Sequence, residues 1–218
     1  MKIKAAVFDM DGLMFDTERV AIAAWDYAGE KMGLGKAGYM VMKTLGVTAE
    51  RADEIWREEF GADVDTKAMR RYGREYTDRF YEENKVPVKP GLYELLDWLS
   101  SAGIKRAVAS SSTRRAVMRN LVSAGITDRF DVIVSGEAVG RSKPEPDIYL
   151  KACELLGEKP CDCVALEDSR NGIRSAYSAG CRVIMVPDLW QADEQTEKIL
   201  YKKCESLLAV RDFLREGR

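Results

Sequence analysis

The chain has 218 residues, 46% hydrophobic and 32% charged, with a formal net charge of −2. That length suits one large domain or a core with a smaller insert, and the composition is that of a soluble globular protein. The charge balance gives no reason to expect nucleic acid or an anionic membrane as partner, and no apolar run reaches the ~18 residues that span a bilayer.

Met1-Lys2-Ile3-Lys4 runs directly into an apolar segment, so no signal peptide and a cytoplasmic location are expected. There is no histidine, which removes Ser–His and Cys–His nucleophile pairs and any histidine base. The five cysteines (Cys153, Cys161, Cys163, Cys181 and Cys204) are odd in number and show no C-x-x-C spacing. Neither zinc nor disulfides are expected, and the thiols read as small core residues. Chemistry must come from carboxylates, lysine, hydroxyls, backbone amides or a metal.

The first predicted strand covers residues 4–9 and ends in Asp9-Met10-Asp11-Gly12. Alternate carboxylates there lie at the carboxyl edge of a buried strand, where open α/β sheets bind ligands. Taken alone, D-x-D-G is equally a solvated turn. Roughly 95 residues separate this strand from the next, far more than one crossover needs. Amphipathic helices are predicted at 18–32, 36–44, 49–60 and 66–84. The stretch reads as an inserted all-helical domain over 16–87, leaving 1–15 and 88–218 as the core.

Beyond it, a helix at 91–102 leads into a strand at 105–110, and a helix at 114–124 into a strand at 131–135. A helix at 146–156 precedes a strand at 163–167, a helix at 171–179 precedes a strand at 182–187, and residues 207–214 form a closing helix. Glycines at 103, 125, 157 and 180 stop four of these helices. Strand–helix alternation predicts an α/β fold with a Rossmann-like, doubly wound parallel sheet. No internal repeat or low-complexity segment is present.

In a parallel sheet all strand ends share one edge, so their residues are read together. Asp9 and Asp11 end the first strand, and Ser110, followed by Ser111, ends the second. Lys143 lies in the loop after the third strand, and Glu167-Asp168 ends the fourth. Such a set suits a phosphoryl group. Carboxylates can hold Mg²⁺, a serine hydroxyl and helix-starting amides can bind phosphate oxygens, and a lysine supplies a point charge. Separately, Ser110 could cap a helix, Lys143 could be solvated, and Glu167-Asp168 could cap the next helix.

Asp9-Met10-Asp11-Gly12-Leu13 with Phe15-Asp16-Thr17-Glu18, then Ser110, Lys143-Pro144 and Glu167-Asp168-Ser169, resemble the four motifs of the haloacid dehalogenase superfamily. The resemblance spans essentially the whole chain and is nearest to the phosphatases and β-phosphoglucomutases that carry a helical cap. It implies a mobile cap over the site, Mg²⁺ dependence, and a nucleophilic Asp9 that becomes phosphorylated. It assigns acid/base catalysis to Asp11, phosphate and nucleophile holding to Ser110 and Lys143, and metal ligation to Asp168 with Glu167 beside it. The strand-end reading adds carboxylate oxygens of Asp9 and the carbonyl of Asp11 to the expected Mg²⁺ ligands, and Ser111 to the expected phosphate contacts.

Dehalogenases of the superfamily use one aspartate and no metal, which Asp11 and the Glu167-Asp168 pair argue against. The mutases carry a histidine in the first cap helix, an arginine after the cap Gly-Val, a lysine in the last cap helix and another after the second motif. Ala21, Ala49, Tyr72 and Thr113 stand at those positions here. A phosphatase of a small phosphorylated metabolite, a sugar phosphate or similar monoester, is therefore expected. The mutase is the alternative, with Arg51, Arg70 or Arg71 as substitute cations. Trp25 and Gly46-Val47-Thr48 are the expected cap contributors to selectivity. A phosphoacceptor receiver module is disfavoured by the insert, and a non-catalytic binding protein by the intact motifs. A monomer is expected, with an oligomer left open.

Overall fold

A computed structural model of the protein describes residues 3–44 and 49–217. The chain divides into two compact units, Met1–Phe15 with Pro87–Arg218, and Asp16–Val86. The second unit is helical, with α1 (Thr17–Lys31), α2 (Met40–Thr44), α3 (Ala49–Phe60) and α4 (Thr66–Glu83). Its core gathers Ala28, Ala37, Met40, Trp56 and Met69, with Trp25 and Tyr72 packed against them. The helix expected over 36–44 is shorter, because the Gly38 amide is committed to the Asp26 carboxylate at 2.7 Å. A Cβ at Gly38 would lie 2.7 Å from the Ile22 carbonyl oxygen, so the chain passes close against α1 before it can coil.

The first unit is built on a parallel sheet of β1 (Ala5–Phe8), β2 (Lys105–Ser110), β3 (Val132–Ser135), β4 (Cys163–Glu167), β5 (Arg182–Met185) and β6 (Lys202–Lys203). Their order is β3-β2-β1-β4-β5-β6. Five of these strands follow the predicted apolar runs. β6 does not, since its two lysines are exposed and carry no apolar signal. All four β1 residues are fully buried, as a strand covered on both faces requires.

Helices α5 (Leu92–Ser101), α6 (Arg114–Ser123), α7 (Asp147–Leu156), α8 (Arg170–Ser178), the short α9 (Glu194–Glu197) and α10 (Leu207–Glu216) complete the unit. α5 buries Leu92, Leu95, Leu96 and Leu99 completely, an i, i+3, i+4, i+7 stripe. Each such leucine contributes about 1.5–3 kcal/mol. On α7 the stripe is Ile148, Tyr149, Ala152, Cys153 and Leu156, packed with Val7, Ala109 and Ala165 of the strands. The chain winds outward from β1 through β2 to β3, then returns to the other side of β1 as β4. Neighbouring strands β1 and β4 thus flank the point where the winding reverses, the place where such sheets bind ligands.

Candidate active site at the carboxyl edge of the sheet

Asp9 follows β1 and its amide donates to the Leu166 carbonyl at 3.0 Å, so the backbone of the first carboxylate is tied to β4. The Lys143 ammonium lies 2.5 Å from Asp9 Oδ1 and 2.6 Å from Glu167 Oε1, bridging the ends of β1 and β4. All three side chains are buried: 11% exposed for Asp9, 7% for Lys143 and none for Glu167. The lysine loop is fastened to α8 by the Ser175 hydroxyl, which donates to the Glu145 carbonyl at 2.5 Å.

Glu167 is held from both sides. Its Oε1 also accepts the Tyr149 hydroxyl at 2.7 Å, and its Oε2 accepts the amides of Asp168 and Ser169 at 3.1 and 3.2 Å and the Ser169 hydroxyl at 3.1 Å. Two glycines give the acids room. A Cβ at Gly172 would sit 1.8 Å from Glu167 Oε1, and one at Gly12 would sit 2.2 Å from Asp168 Oδ2. Gly12 also has φ +82°, in the left-handed region that glycine tolerates.

Burial, with the neighbouring Glu167 and Asp11 carboxylates, pushes the Asp9 carboxyl up to about 8 against the opposing pull of Lys143. For Lys143 burial works the other way, yet the Asp9 and Glu167 carboxylates hold the ammonium above its usual value. The lysine therefore stays charged. Burial and the same two carboxylates keep the Tyr149 hydroxyl protonated, well above the usual phenol range.

Asp11 faces the end of β2. The Ser112 hydroxyl donates to Asp11 Oδ2 at 2.7 Å, and the buried Ser110 hydroxyl approaches the same oxygen at 3.4 Å. Ser110 Oγ accepts the Ser112 amide at 3.1 Å. Thr113, not Ser110, caps α6, its hydroxyl accepting from the Ala116 amide at 3.3 Å. Ser110 is thereby left to the site. Ser111 is exposed, and its carbonyl lies so close to Gly136 that a Cβ there would approach within 2.4 Å.

Residues 6–186 match the family model of the haloacid dehalogenase-like hydrolases. The chain belongs to the haloacid dehalogenase-like hydrolases. Hexitol phosphatase B of Escherichia coli (strain K12) is 33% identical over 201 residues, 85% of this chain and 84% of that protein. The β-phosphoglucomutase of Bacillus subtilis (strain 168) is 32% identical over 184 residues, 82% of this chain and 80% of that one. The crystal structure of CbbY from Rhodobacter sphaeroides in complex with phosphate has a TM-score of 0.76 at 27% identity, covering 95% of this chain and 96% of its own. This haloacid dehalogenase-like chain is an enzyme of phosphoric monoesters, in the group of phosphatases that also holds the mutases.

Within this haloacid dehalogenase-like core, Asp9, Glu167 and Asp168 each offer a carboxylate oxygen within 4.8 Å of the others, and all three are buried. Three clustered hard oxygen donors suit Mg²⁺ in chemistry, and the glycines at 12 and 172 leave the Asp168 and Glu167 carboxylates the room to stand there. The expected residues at the sheet edge come together: Asp9 with Lys143 and Glu167, and Asp11 with Ser110. Trp25 instead belongs to the packing of the helical unit, its ring 5.3 Å from that of Trp56. Gly46, Val47 and Thr48 lie outside the described residues. Two residues of the site went unread in the sequence. Ser112 is one of three successive serines, and Tyr149 looks like any large member of an apolar helical stripe. No described helix is long and apolar enough to cross a membrane.

Proposed function

We propose that the protein is a Mg²⁺-dependent phosphatase of a small phosphorylated sugar or sugar alcohol, working through a phosphorylated Asp9. The observation that carries the reading is the Lys143 ammonium bridging Asp9 and Glu167 where the winding of the sheet reverses, with Asp11 two residues from Asp9. An Asp9 oxygen attacks phosphorus while the bond to the leaving oxygen breaks, and Asp11 gives that oxygen its proton. Asp11 then takes a proton from water as the water oxygen attacks the phosphoaspartate, releasing phosphate and restoring Asp9. Lys143 offsets the charge of nucleophile and phosphate throughout. Ser110 and the amides that open α6 supply neutral donors to phosphate oxygens.

Asp9, Asp168, Glu167 and the main-chain carbonyl of Asp11 would hold Mg²⁺. When bound, the ion screens the repulsion between phosphate and carboxylate. The helical unit is the cap in this reading and carries selectivity for the leaving group.

Phosphatase is favoured over mutase by the state of the cap cations. Arg51 is paired with Glu54 at 2.8 Å and Glu58 at 3.0 Å, and Arg70 makes a two-point contact with Asp53. Arg71 leans on the Tyr72 ring at 5.0 Å. Arg51 and Arg70, engaged in ion pairs within their own unit, are poorly suited to hold the second phosphate of a bisphosphate intermediate. The test is hydrolysis of a generic aryl phosphate and of a panel of sugar phosphates, with and without Mg²⁺, and with glucose 1-phosphate isomerisation followed in parallel. Turnover without metal dependence, or turnover that survives Asp9→Asn, overturns the reading.

A further inference from the structure

We propose that Tyr149 is a positioning residue for phosphoryl transfer, its buried hydroxyl holding Glu167 so that Lys143 remains shared with the nucleophile Asp9. The inference rests on the phosphatase reading and extends it to a residue of α7. Tyr149 is fully buried in the apolar stripe of its helix, where a phenylalanine would fill the same space without a polar atom to satisfy. Its hydroxyl has one destination in that setting, Glu167 Oε1 at 2.7 Å. It also lies 3.4 Å from the Lys143 ammonium, which sits 5.0 Å from the centre of the tyrosine ring.

Two donors therefore meet at one oxygen: Glu167 Oε1 accepts from Tyr149 and from Lys143. Lys143 in turn donates to that oxygen, to Asp9 Oδ1 and, at 3.4 Å, to the Tyr149 hydroxyl oxygen. A carboxylate oxygen that accepts two strong donors pulls less on each. With the hydroxyl present, Glu167 draws Lys143 only part of the way, and the ammonium keeps its contact with Asp9. Without it, the vacated lone pair strengthens the pull of Glu167 and the ammonium moves away from the nucleophile. Charge compensation is then weaker where the transferring phosphoryl group develops its charge. The ring face beneath Lys143 adds a second restraint on where the ammonium rests.

Tyr149→Phe removes the oxygen and keeps the packing. The measurements are kcat and KM for a generic aryl phosphate at saturating Mg²⁺, the melting temperature, and a crystal structure of the metal-free variant. The expected result is a kcat reduced about tenfold with KM changed less than about threefold, as for loss of one hydrogen bond to a charged group. The Lys143–Asp9 distance should be longer in the variant crystal than in a crystal of the unmutated protein prepared the same way. A variant with unchanged kcat and an unmoved Lys143 overturns the proposal, even if it melts lower, since that is what a purely packing role would give. The surface control Tyr177→Phe should leave kcat as it is. Failure of the phosphatase reading itself looks different: the unmutated protein then shows no Mg²⁺-dependent turnover, while the Lys143–Asp9 distance in the variant still tests the role of Tyr149.

Discussion

Gly172 and Glu167 fit each other so closely that a methyl group on the first would overlap the second, at 1.8 Å from its Oε1. Glycine in a helix ordinarily costs about 0.5–1 kcal/mol relative to alanine. Here it opens the space in which the Glu167 carboxylate meets Lys143 and Tyr149. Gly172→Ala is expected to lower the melting temperature, where a helical Gly→Ala normally raises it, and to cut turnover by at least about tenfold. A more stable and fully active variant would refute this.

Lys143→Met leaves Asp9 and Glu167 buried without their shared cation. Removing one partner of such a group costs about 3–5 kcal/mol, so the metal-free variant should unfold at markedly lower urea at neutral pH. Turnover should fall by about 10²-fold or more, by analogy with removal of other preorganised charge-stabilising donors. Chemical denaturation and steady-state kinetics on the same preparation check both.

The pH dependence of stability follows from Asp9. Its carboxyl is raised in the fold from 3.8 to about 8. Between those values the folded chain keeps a proton that the unfolded chain has released, so stability falls as pH rises through this window. In EDTA, the urea midpoint of the unmutated protein should drop between about pH 5 and about pH 8 by more than that of Asp9→Asn. Equal slopes for the two would remove Asp9 as the cause.

Ser112→Ala takes away the 2.7 Å donor to Asp11 Oδ2, the same oxygen that the Ser110 hydroxyl approaches only at 3.4 Å. If Asp11 is the acid/base proposed above, its carboxylate is then less well aimed, and kcat should fall by up to about tenfold with little change in melting temperature. Unaltered kcat would show that the contact does not matter to turnover.

Arg51→Ala separates phosphatase from mutase. Its side chain is engaged with Glu54 and Glu58 on its own helix and is 49% exposed, so sugar phosphate hydrolysis should change less than about twofold. A large loss of glucose 1-phosphate isomerisation in this variant would favour the mutase instead.

The sheet and the edge it offers were legible because buried parallel strands are written as continuous apolar runs that end in polar residues. Asp9 and Glu167 stand out at the ends of β1 and β4, and Lys143 in the loop after β3, although Lys143 is 134 residues from Asp9. β6 left no such trace, being two exposed lysines paired through backbone alone. The helix expected to start at Lys36 is cut back because Asp26, distant in sequence, captures the Gly38 amide. No local pattern encodes that. Tyr149 was hidden for a related reason: spacing along α7 says that a side chain points inward, but not that its last atom reaches a carboxylate on β4. The three serines that end and follow β2 are equal in sequence, and only the turn of the backbone decides that Ser110 and Ser112 approach Asp11 while Ser111 is exposed.

β1 is paired on both sides, and the Asp9 amide continues that pairing into β4. A residue anchored in this way exchanges its amide hydrogen only when the sheet as a whole comes apart, whereas loops and terminal elements open far more often. The carboxylate proposed as the nucleophile therefore shares the lifetime of the sheet that carries it. On that reading heat should not wear the enzyme down by loosening Asp9 first; activity and the tertiary structure of the sheet unit should vanish together.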